Sequence, residues 1–581
     1  MRALTRLLPG LGGRRRAVVP LLLGVLVLAL VAGLVLNGDS PPPKVGRTPA
    51  ITPAAAAAAR PNIVMVMADD MRTDDLRFMP SVRRLLVGRG LNFRNSFSPY
   101  PLCCPARASF LTGRYAHNHH VYSHAKPYGF QSFDDHATIA TALQQSGYQT
   151  GFVGKYLNGY GAERSLVTGG PSFRYVPAGW TDWYGAVERP PGSTYRAGGT
   201  YNYWHTLFNV NGTIDDSYAH QYQTNVLGRF ARTMVRKYHR SPRPFFLYFS
   251  SVAPHFGSPR EKGDPVHVKR RGGGFTRIAT PARPRWVRGH FDRQITRASG
   301  LPMNGGPSEA DVSDKPRPMN TQPELSPQER FAVRNLTRQR AESLFVLDQE
   351  VARLVATLKR TGEYKNTVIM FTSDNGYFLG EHRMRQGKIK PHEPSLRVPF
   401  VVAGRGVPHG ERFDPVTTPG VTATIAQLAG ATERMPYPED GVSVAPSFAA
   451  DRGWTVPVVT EGMESGRVFP VLPAAKATGF HDARNTIGVR TPRYKYVRYS
   501  DGDAEMYDLD RDPNEMHSVI DDPAYADVRD ELFRLWQEYK DCVGESCREP
   551  MPANLRRSPQ QDEAGTNTQS RGVQRRYGYW R

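Results

Sequence analysis

Residues 62–70 of this 581-residue chain read NIVMVMADD, in which six apolar residues lead directly into two aspartates. Further apolar runs follow at residues 150–154, 244–250, 366–373 and 398–403, and helical patterns separate them. Apolar runs that alternate with helices are typical of a parallel sheet that is covered on both faces. The sequence therefore predicts an α/β fold with a mainly parallel sheet flanked by helices.

Polar side chains follow the first four of these runs, at the points where the predicted strands end. They are Asp69, Asp70, Lys155, His255, Asp374 and Asn375. In open parallel sheets a ligand binds beyond the carboxyl ends of the strands. Carboxylate and amide oxygens favour a hard cation, Ca2+ or Mg2+, over zinc. We therefore predict a divalent-cation site whose ligands are Asp69, Asp70, Asp374 and Asn375.

Residues 102–114 read LCCPARASFLTGR and predict a short helix that begins near Cys103. Pro105 suits the first helical turn, where its missing N–H is no loss. Cys103 then lies at a helix N-terminus, where free N–H groups favour an anion. Arg107 can hold an oxyanion at the same place. In isolation, the pair Cys103–Cys104 also fits buried thiols or a disulfide between neighbours.

The pattern C-x-P-x-R followed by L-T-G-R resembles the signature of the type I sulfatases. The resemblance covers residues 61–550 and implies the alkaline-phosphatase-like fold. It implies that a formylglycine-generating enzyme converts Cys103 to 3-oxoalanine (formylglycine), which adds an oxygen ligand to the predicted cation. It also implies a set of catalytic residues, namely Cys103, Arg107, Lys155, His255 and Lys388.

The resemblance further implies a mechanism for the hydrolysis of sulfate monoesters. One hydroxyl of the hydrated aldehyde at Cys103 attacks sulfur, and the departing alcohol takes a proton from His255 or Lys388. The second hydroxyl then loses its proton and expels sulfate. Arg107, Lys155, Lys388 and the cation neutralise the charge that develops on the sulfate oxygens.

One position departs from the family pattern, because Leu157 stands where sulfatases commonly carry the histidine of K-x-H. His117, His119 and His120 follow the motif helix and are candidates to replace it. The sequence GKYLN resembles the N-acetylglucosamine-6-sulfatase and heparan endosulfatase branch. We therefore expect a sulfated small molecule or glycan, such as a glycosaminoglycan, as the substrate.

Two other functions fit the same residues. An arylsulfatase, or a phosphonate or phosphate monoesterase, would use the same scaffold. A non-catalytic anchored protein that binds polyanions would account for the missing histidine and for an Arg-rich insertion at residues 257–325. The basic residues of that insertion that could attract a sulfated polysaccharide are Lys269, Arg270, Arg271, Arg283, Arg285 and Arg288.

The net charge of +22 is unevenly distributed. Residues 1–60 hold eight basic and one acidic side chain, residues 260–297 hold eleven and three, and residues 548–581 hold seven and three. The globular body is therefore close to neutral. Because the charge lies in the two ends and one insertion, and no known nucleic-acid-binding motif occurs, we expect no nucleic-acid partner.

Residues 17–36 are apolar and uncharged, and five arginines precede them. Such a run is long enough to cross a bilayer, and basic flanks stay in the cytoplasm. We expect an exported protein, which is either anchored in the membrane at the cell surface by this segment or secreted after its cleavage. Cys542 and Cys547 are then expected to form a disulfide.

These patterns divide the chain into five segments. An apolar stripe predicts one long helix over residues 327–360, and short strands followed by a helix predict an antiparallel C-terminal unit. The segments are a cytoplasmic basic segment with a signal or anchor helix (1–36), a Pro/Ala linker (37–60), a catalytic domain (61–453), an α+β subdomain (454–549) and a disordered basic tail (550–581).

Overall fold

The computed structural model describes residues 60–190, 192–195, 198–463 and 479–579. The predicted signal or anchor helix and nearly all of the Pro/Ala linker lie outside the described residues. Within the described ranges, no helix is both long enough and apolar enough to cross a membrane.

The strands and helices alternate along most of the chain. In chain order the strands are β1 Asn62–Ala68, β2 Leu91–Phe97, β3 Gln149–Lys155, β4 Asp182–Ala186, β5 Phe208–Val210, β6 Thr213–Asp215, β7 Phe245–Ser250, β8 Val268–Lys269, β9 Phe275–Thr276, β10 Thr367–Ser373, β11 Phe400–Gly404, β12 Gly410–Thr417, β13 Val458–Gly462, β14 Thr486–Arg490, β15 Tyr494–Tyr499 and β16 Ala504–Asp508. The α-helices are α1 Pro80–Leu85, α2 Cys103–Thr112, α3 Ala116–His119, α4 Ile139–Gln145, α5 Gln223–Tyr238, α6 Pro327–Arg360, α7 Glu393–Leu396, α8 Thr418–Ala429, α9 Ala526–Tyr539 and α10 Pro559–Tyr577.

The large sheet has the strand order β12-β2-β11-β10-β1-β7-β3-β4-β5-β6. Its centre is parallel, because β1 pairs in parallel with both β10 and β7, and β3 does so with β7 and β4. The predicted mainly parallel α/β fold is thus confirmed. The fifth apolar run differs, since β11 is antiparallel to β10. The connection between them stays at the carboxyl edge of the sheet and contains only a 3-10 turn at Glu381–Arg383 and the one-turn helix α7, so β11 starts at that edge and runs back.

Strand β1 explains why helices cover both faces of this sheet. Its alternate residues Ile63, Met65 and Met67 pack into one apolar cluster with α2, α4 and α8, and Val64 and Val66 pack into a second cluster with α5 and α6. Because a strand places successive side chains on opposite faces, an uninterrupted apolar run needs two layers of helices to bury it.

The insertion at residues 257–325 is irregular, as predicted, apart from the two-residue strands β8 and β9 and two short 3-10 turns. It packs against the long helix α6 through Ile278, Leu301 and Leu325, which contact Val333 and Leu336 in one apolar cluster. These contacts attach the insertion to the main body of the protein.

The C-terminal unit contains a separate antiparallel sheet with the order β13-β14-β15-β16, and helix α9 covers it. Leu532, Leu535 and Trp536 of this helix lie in one apolar cluster with Ile487 of β14. The predicted disulfide between Cys542 and Cys547 is present after the helix. This arrangement agrees with the predicted α+β subdomain.

The prediction of a disordered basic tail is wrong for residues 550–579, because this segment forms α10. Ser558 caps the helix N-terminus, and Gly578 ends it with a left-handed φ of 76°. The helix docks through polar side chains: the Asn95 amide donates to Thr566 over 2.8 Å, and the Trp454 N–H donates to Asp562. Since polar contacts rather than an apolar stripe bind α10, its composition gave no signal of order.

The residues after α10 reach back to the edge of the sheet that carries the predicted cation ligands. Arg72 is 2% exposed and donates to the Tyr579 hydroxyl, while it also forms a 2.8 Å ion pair with Glu381. Arg72 follows the Asp69-Asp70 pair by two residues. Residue 579 therefore supports the loop that carries the predicted cation ligands.

Replacing Tyr579 by phenylalanine should lower the free energy of unfolding by about 1–3 kcal/mol, because a buried charged donor loses its acceptor. Denaturant unfolding measures this change. The matched control is Tyr437→Phe, at a tyrosine that is 42% exposed, and it should alter the free energy of unfolding by under about 0.5 kcal/mol. Equal effects of the two variants would contradict a supporting role for Tyr579.

Candidate active site

The predicted cation ligands meet because β1 and β10 are neighbours in register. Ala68 pairs with Ser373, so the residues that follow the two strands emerge side by side. The Asp70 N–H donates to Asp374 Oδ1 over 3.0 Å, and the Asn375 amide donates to Asp70 Oδ1 over 2.7 Å. All these side chains are buried.

The predicted catalytic cations surround this acidic group. Lys155 Nζ lies 2.6 Å from Asp69 Oδ2, and Arg107 Nε lies 2.8 Å from Asp374 Oδ2. The loop between β10 and β11 adds the ammonium of Lys388, which forms an ion pair with Asp70 and lies 2.8 Å from Cys103 Sγ. His255 Nε2 is 3.7 Å from Asp70 Oδ2. The structure thus brings together every residue that the sequence singled out for this site.

Several oxygens at this site have no partner. Asp69 Oδ1, Asp70 Oδ2 and Asn375 Oδ1 are buried and accept no hydrogen bond from the described residues. A buried unsatisfied acceptor costs about 1–3 kcal/mol, and more when it is charged. The ligand atoms of Asp69, Asp70, Cys103 and His255 lie within 4.8 Å of one another. This oxygen-rich set fits a hard divalent cation such as Ca2+ or Mg2+.

Helix α2 places Cys103 at the floor of the site. The helix starts at Cys103 after the extended residue Leu102, and Gly113 ends it with a φ of 73°. Cys103 and Cys104 are both buried free thiols, so the alternative of a disulfide between them is not found. Burial raises the pKa of the Cys103 thiol, and this effect outweighs the lowering by Lys155 and Lys388. The unmodified side chain is therefore a protonated thiol at neutral pH.

Burial and neighbouring charges shift the pKa values of the ionisable groups at the site. Burial raises the pKa of Asp69, but the charge of Lys155 and other cations outweighs it and holds the pKa well below its usual value. Burial, reinforced by Asp69, raises the pKa of Asp374 to about 6. Burial also lowers the pKa of His255 to about 4, so its imidazole is neutral at neutral pH.

Other parts of the chain hold the ligand loop in place, and the sequence patterns did not reveal them. Arg340, buried in the middle of α6, donates to the Asp70 carbonyl and lies 3.2 Å from Asp75. Ser250, at the end of β7, accepts from Arg107 and donates to the Lys155 carbonyl over 2.6 Å. A buried arginine in an amphipathic helix cannot be distinguished from a solvated one by periodicity.

None of the three proposed replacements for the K-x-H histidine lines the cavity at the site. His117 bonds to Glu461, His119 to Ser109, and His120 to a neighbouring tyrosine. Leu157 itself lies in the main apolar core. Besides His255, the cavity lining includes His124, which the sequence analysis missed because it follows no strand.

An open cavity of about 960 Å3 extends outward from the site. The buried residues Cys103 and His255 and the partly buried Lys388 line its inner part, and the exposed residues Arg260 and Arg277 of the insertion also line it. The arginines at 283 and 288 are instead structural. Arg283 forms ion pairs with Glu261 and Glu342, and Arg288 with Glu261.

Comparison with known proteins agrees with this geometry. The family model Sulfatase matches residues 61–431, and the model N-sulphoglucosamine sulphohydrolase, C-terminal matches residues 475–541. An arylsulfatase of Volvox carteri is 28% identical, over 86% of this chain and 77% of its own. The N-acetylglucosamine-6-sulfatase of Homo sapiens is 30% identical, over 85% of this chain and 87% of its own. An extracellular sulfatase of Drosophila melanogaster is 29% identical, over 68% of this chain and 32% of its own.

The fold has solved counterparts. A protein solved in complex with its substrate D-glucosamine-2-N,6-O-disulfate superposes with a TM-score of 0.60 at 19% identity, covering 84% of this chain and 98% of its own. This likeness supports the predicted alkaline-phosphatase-like architecture. Together with the match of the family model over most of the described chain, it leads to one conclusion: the protein belongs to the sulfatase family and is a sulfuric ester hydrolase.

Proposed function

We propose that this protein removes sulfate from a sulfated carbohydrate such as 6-sulfated N-acetylglucosamine, by means of a formylglycine at Cys103 and a bound Ca2+ or Mg2+. The observation that carries the proposal is the contact of Lys388 with both Cys103 and Asp70 at the inner end of the cavity. The position of the predicted nucleophile, the ammonium group of Lys388 and the predicted metal ligands lie next to one another at that point.

The protonation state of Cys103 supports the conversion to formylglycine. A buried, protonated thiol is a weak nucleophile. When converted and hydrated, the same position supplies a hydroxyl nucleophile, and a bound divalent cation supplies positive charge that lowers the pKa of that hydroxyl. The remaining chemistry belongs to the side chains that line the cavity.

Three cationic side chains fit the role of holding the sulfate group. Arg107, Lys155 and Lys388 lie on three different elements around Cys103, so their charges approach a tetrahedral anion from different sides. Lys388 Nζ lies 2.8 Å from the Cys103 sulfur and is placed to protonate the leaving oxygen. His255 places Nδ1 at 2.7 Å from the Phe256 carbonyl, which only accepts, so Nδ1 carries the proton and Nε2 faces Asp70.

A carbohydrate substrate is supported by the relatives and by the cavity. The goat and human N-acetylglucosamine-6-sulfatases match along nearly the whole described chain. The cavity wall carries Tyr201 and the 43% exposed ring of Phe256, and both rings lie within 4.5 Å of the His255 ring. Aromatic rings beside polar groups suit a sugar, which has both apolar and polar faces. The second candidate is an arylsulfatase, which the Volvox carteri relative favours.

Export is part of the proposal. The apolar segment at residues 17–36 follows five arginines, and a relative is an extracellular sulfatase. We infer that the protein acts outside the cytoplasm, where its Cys542–Cys547 disulfide is stable. The converting enzyme must then reach Cys103 before that residue is buried.

Mass spectrometry of the tryptic peptide 95–107 from the native host tests the nucleophile. Cys103 should have lost hydrogen sulfide and gained one oxygen. Cys103→Ala should abolish sulfate release, whereas Cys104→Ala should keep both the modification and the activity. An unmodified thiol at residue 103 in an active preparation would contradict the proposal.

Chelation tests the cation. A cation at 100 times its dissociation constant adds about 2.7 kcal/mol to the free energy of unfolding, so EDTA should lower the melting temperature and Ca2+ or Mg2+ should restore it. Asn375→Ala should require more cation for the same restoration. Asn366→Ala, at the opposite end of β10, is the control and should behave as the wild type. A melting temperature that EDTA leaves unchanged would exclude the site.

Matched substrates test the reaction itself. We expect kcat/KM for N-acetylglucosamine-6-sulfate to exceed that for an aryl sulfate, and kcat/KM for an aryl sulfate to exceed that for the matched aryl phosphate by about 100-fold or more, since a site built for a monoanionic group holds a dianion less well. Faster hydrolysis of the aryl sulfate than of the sugar would favour the arylsulfatase. Faster hydrolysis of the phosphate would indicate a monoesterase.

A further inference from the structure

We propose that Arg260 and Arg277 form a second anion-binding subsite, which recognises a carboxylate or sulfate on the sugar next to the one that is desulfated. The inference rests on the proposed function and deepens it. It assigns the enzyme to oligosaccharides with more than one anionic group, rather than to a single sulfated sugar.

The two arginines lie in the outer part of the cavity. Both line the same cavity as Cys103 and Lys388, but both are exposed, whereas Cys103 is buried and the Lys388 side chain is only 11% exposed. They therefore lie toward the mouth. A volume of about 960 Å3 is near the upper end of the ~300–1,000 Å3 range that is typical of pockets for drug-sized ligands. The cavity thus has room for a further sugar beyond the one at Cys103.

The charges of the two guanidinium groups are uncompensated. Neither Arg260 nor Arg277 forms a salt bridge or a side-chain hydrogen bond with any residue in the described ranges. The nearby Asp264 carboxylate is used inward, where it accepts from the Glu261 N–H over 2.8 Å and from the Gln339 amide over 3.1 Å. This mouth of the cavity is therefore free to receive an anion.

Glu188, the second acidic residue that lines the cavity, does not cancel the positive charge of the arginines. Glu188 and Asp264 are two carboxylates against three arginines of the same outer lining, Arg189, Arg260 and Arg277. Arg189 is exposed, with a 3.1 Å hydrogen bond to the Tyr195 carbonyl. The outer wall consequently carries net positive charge, which attracts a polyanion and orients it toward the inner site.

The backbone of Arg277 is fixed relative to the catalytic lysine. The Gln386 amide donates to the Arg277 carbonyl over 3.2 Å and accepts from the Ala279 N–H over 2.9 Å. Gln386 precedes Lys388 by two residues. The Gln386 side chain thus joins the insertion to the loop that carries Lys388. This contact keeps the distance between the subsite and the inner site constant.

The wall between the two positions suits a sugar ring. Phe256 is 43% exposed and stacks on His255, with ring centroids 4.2 Å apart. Gly257, the next residue, donates to the Thr280 carbonyl over 3.1 Å, which ties this segment to the irregular stretch after Arg277. An apolar ring face between an inner anion site and an outer one matches a chain of sugars that carry charged groups on successive rings.

The test uses four probes and two double variants. The probes are N-acetylglucosamine-6-sulfate, a disaccharide in which a uronic acid is joined to that sugar, the same disaccharide with its carboxyl group reduced to an alcohol, and the carboxyl-reduced disaccharide with one sulfate on its outer sugar. The subsite variant is Arg260→Gln with Arg277→Gln. The control is Lys269→Gln with Arg271→Gln, which removes the same charge from exposed positions of the insertion that do not line the cavity.

The measured quantity is the ratio of kcat/KM for each disaccharide to kcat/KM for the monosaccharide. For the wild type, we expect the ratio to be higher for the uronic acid or sulfated disaccharide than for the reduced one, and the preferred probe identifies the anion. In the subsite variant this ratio should fall by about 10- to 100-fold, mainly through KM, because each arginine loses a charge-assisted hydrogen bond. The control should change it by less than about two-fold, as expected of exposed charges.

Three outcomes would overturn the subsite. These are equal ratios for charged and reduced disaccharides in the wild type, an unchanged ratio in the subsite variant, and an equal fall in the control, which would indicate general attraction. In each case sulfate is still released from the monosaccharide, so the proposed function stands. If the wild type releases no sulfate from any probe, the proposed function fails. The subsite is then tested by equilibrium titration with the charged disaccharide. Tighter binding by the wild type than by the subsite variant supports the subsite, and equal binding contradicts it.

Discussion

Three carboxylates buried at the ends of two adjacent strands are the constraint on which the catalytic edge depends. Asp69, Asp70 and Asp374 have no solvent exposure, so their charges cannot be screened by water. Breaking a buried ion pair costs about 3–5 kcal/mol, because the remaining charge has no partner. Lys155, Lys388 and Arg107 therefore have to be present together. The parallel register of β1 and β10 imposes this set, since it brings the strand ends side by side.

The three cations do not satisfy all the oxygens of this group. Oxygens of Asp69, Asp70 and Asn375 stay without partners among the described residues, and they are the atoms that a divalent cation would take. Arg340 donates to the Asp70 carbonyl, and Arg72, which follows Asp70 in the same loop, donates to the Tyr377 carbonyl in the loop after β10. Those contacts keep the loop in place while its oxygens are left available, which is the arrangement that a preorganised metal site requires.

The sequence predicted the parts of the fold that depend on local pattern. The uninterrupted apolar strands and helix α6 appear where their patterns placed them, because an apolar run and an apolar stripe are both encoded in residues close together in the sequence. The residues after the strands were also predictable, since the carboxyl ends of parallel strands share one edge. The direction of β11 was not, because it depends on how a 26-residue connection crosses the edge. Helix α10 was missed for a related reason: its partners, Asn95 and Trp454, lie far away in the sequence.

The Arg-rich insertion shows why net charge is a poor guide to function when the carboxylate partners of each arginine are unknown. Arg283 and Arg288 belong to the same basic stretch as Arg260 and Arg277, but glutamates neutralise the first two and not the second two. Only the structure separates a structural arginine from one that faces a cavity. The inner site is built from strand ends and is fixed by the sheet, whereas the outer wall is built from an irregular segment that the sheet does not constrain. We therefore expect that substrate preference can change in the insertion while the predicted catalytic carboxylates and cations keep their positions.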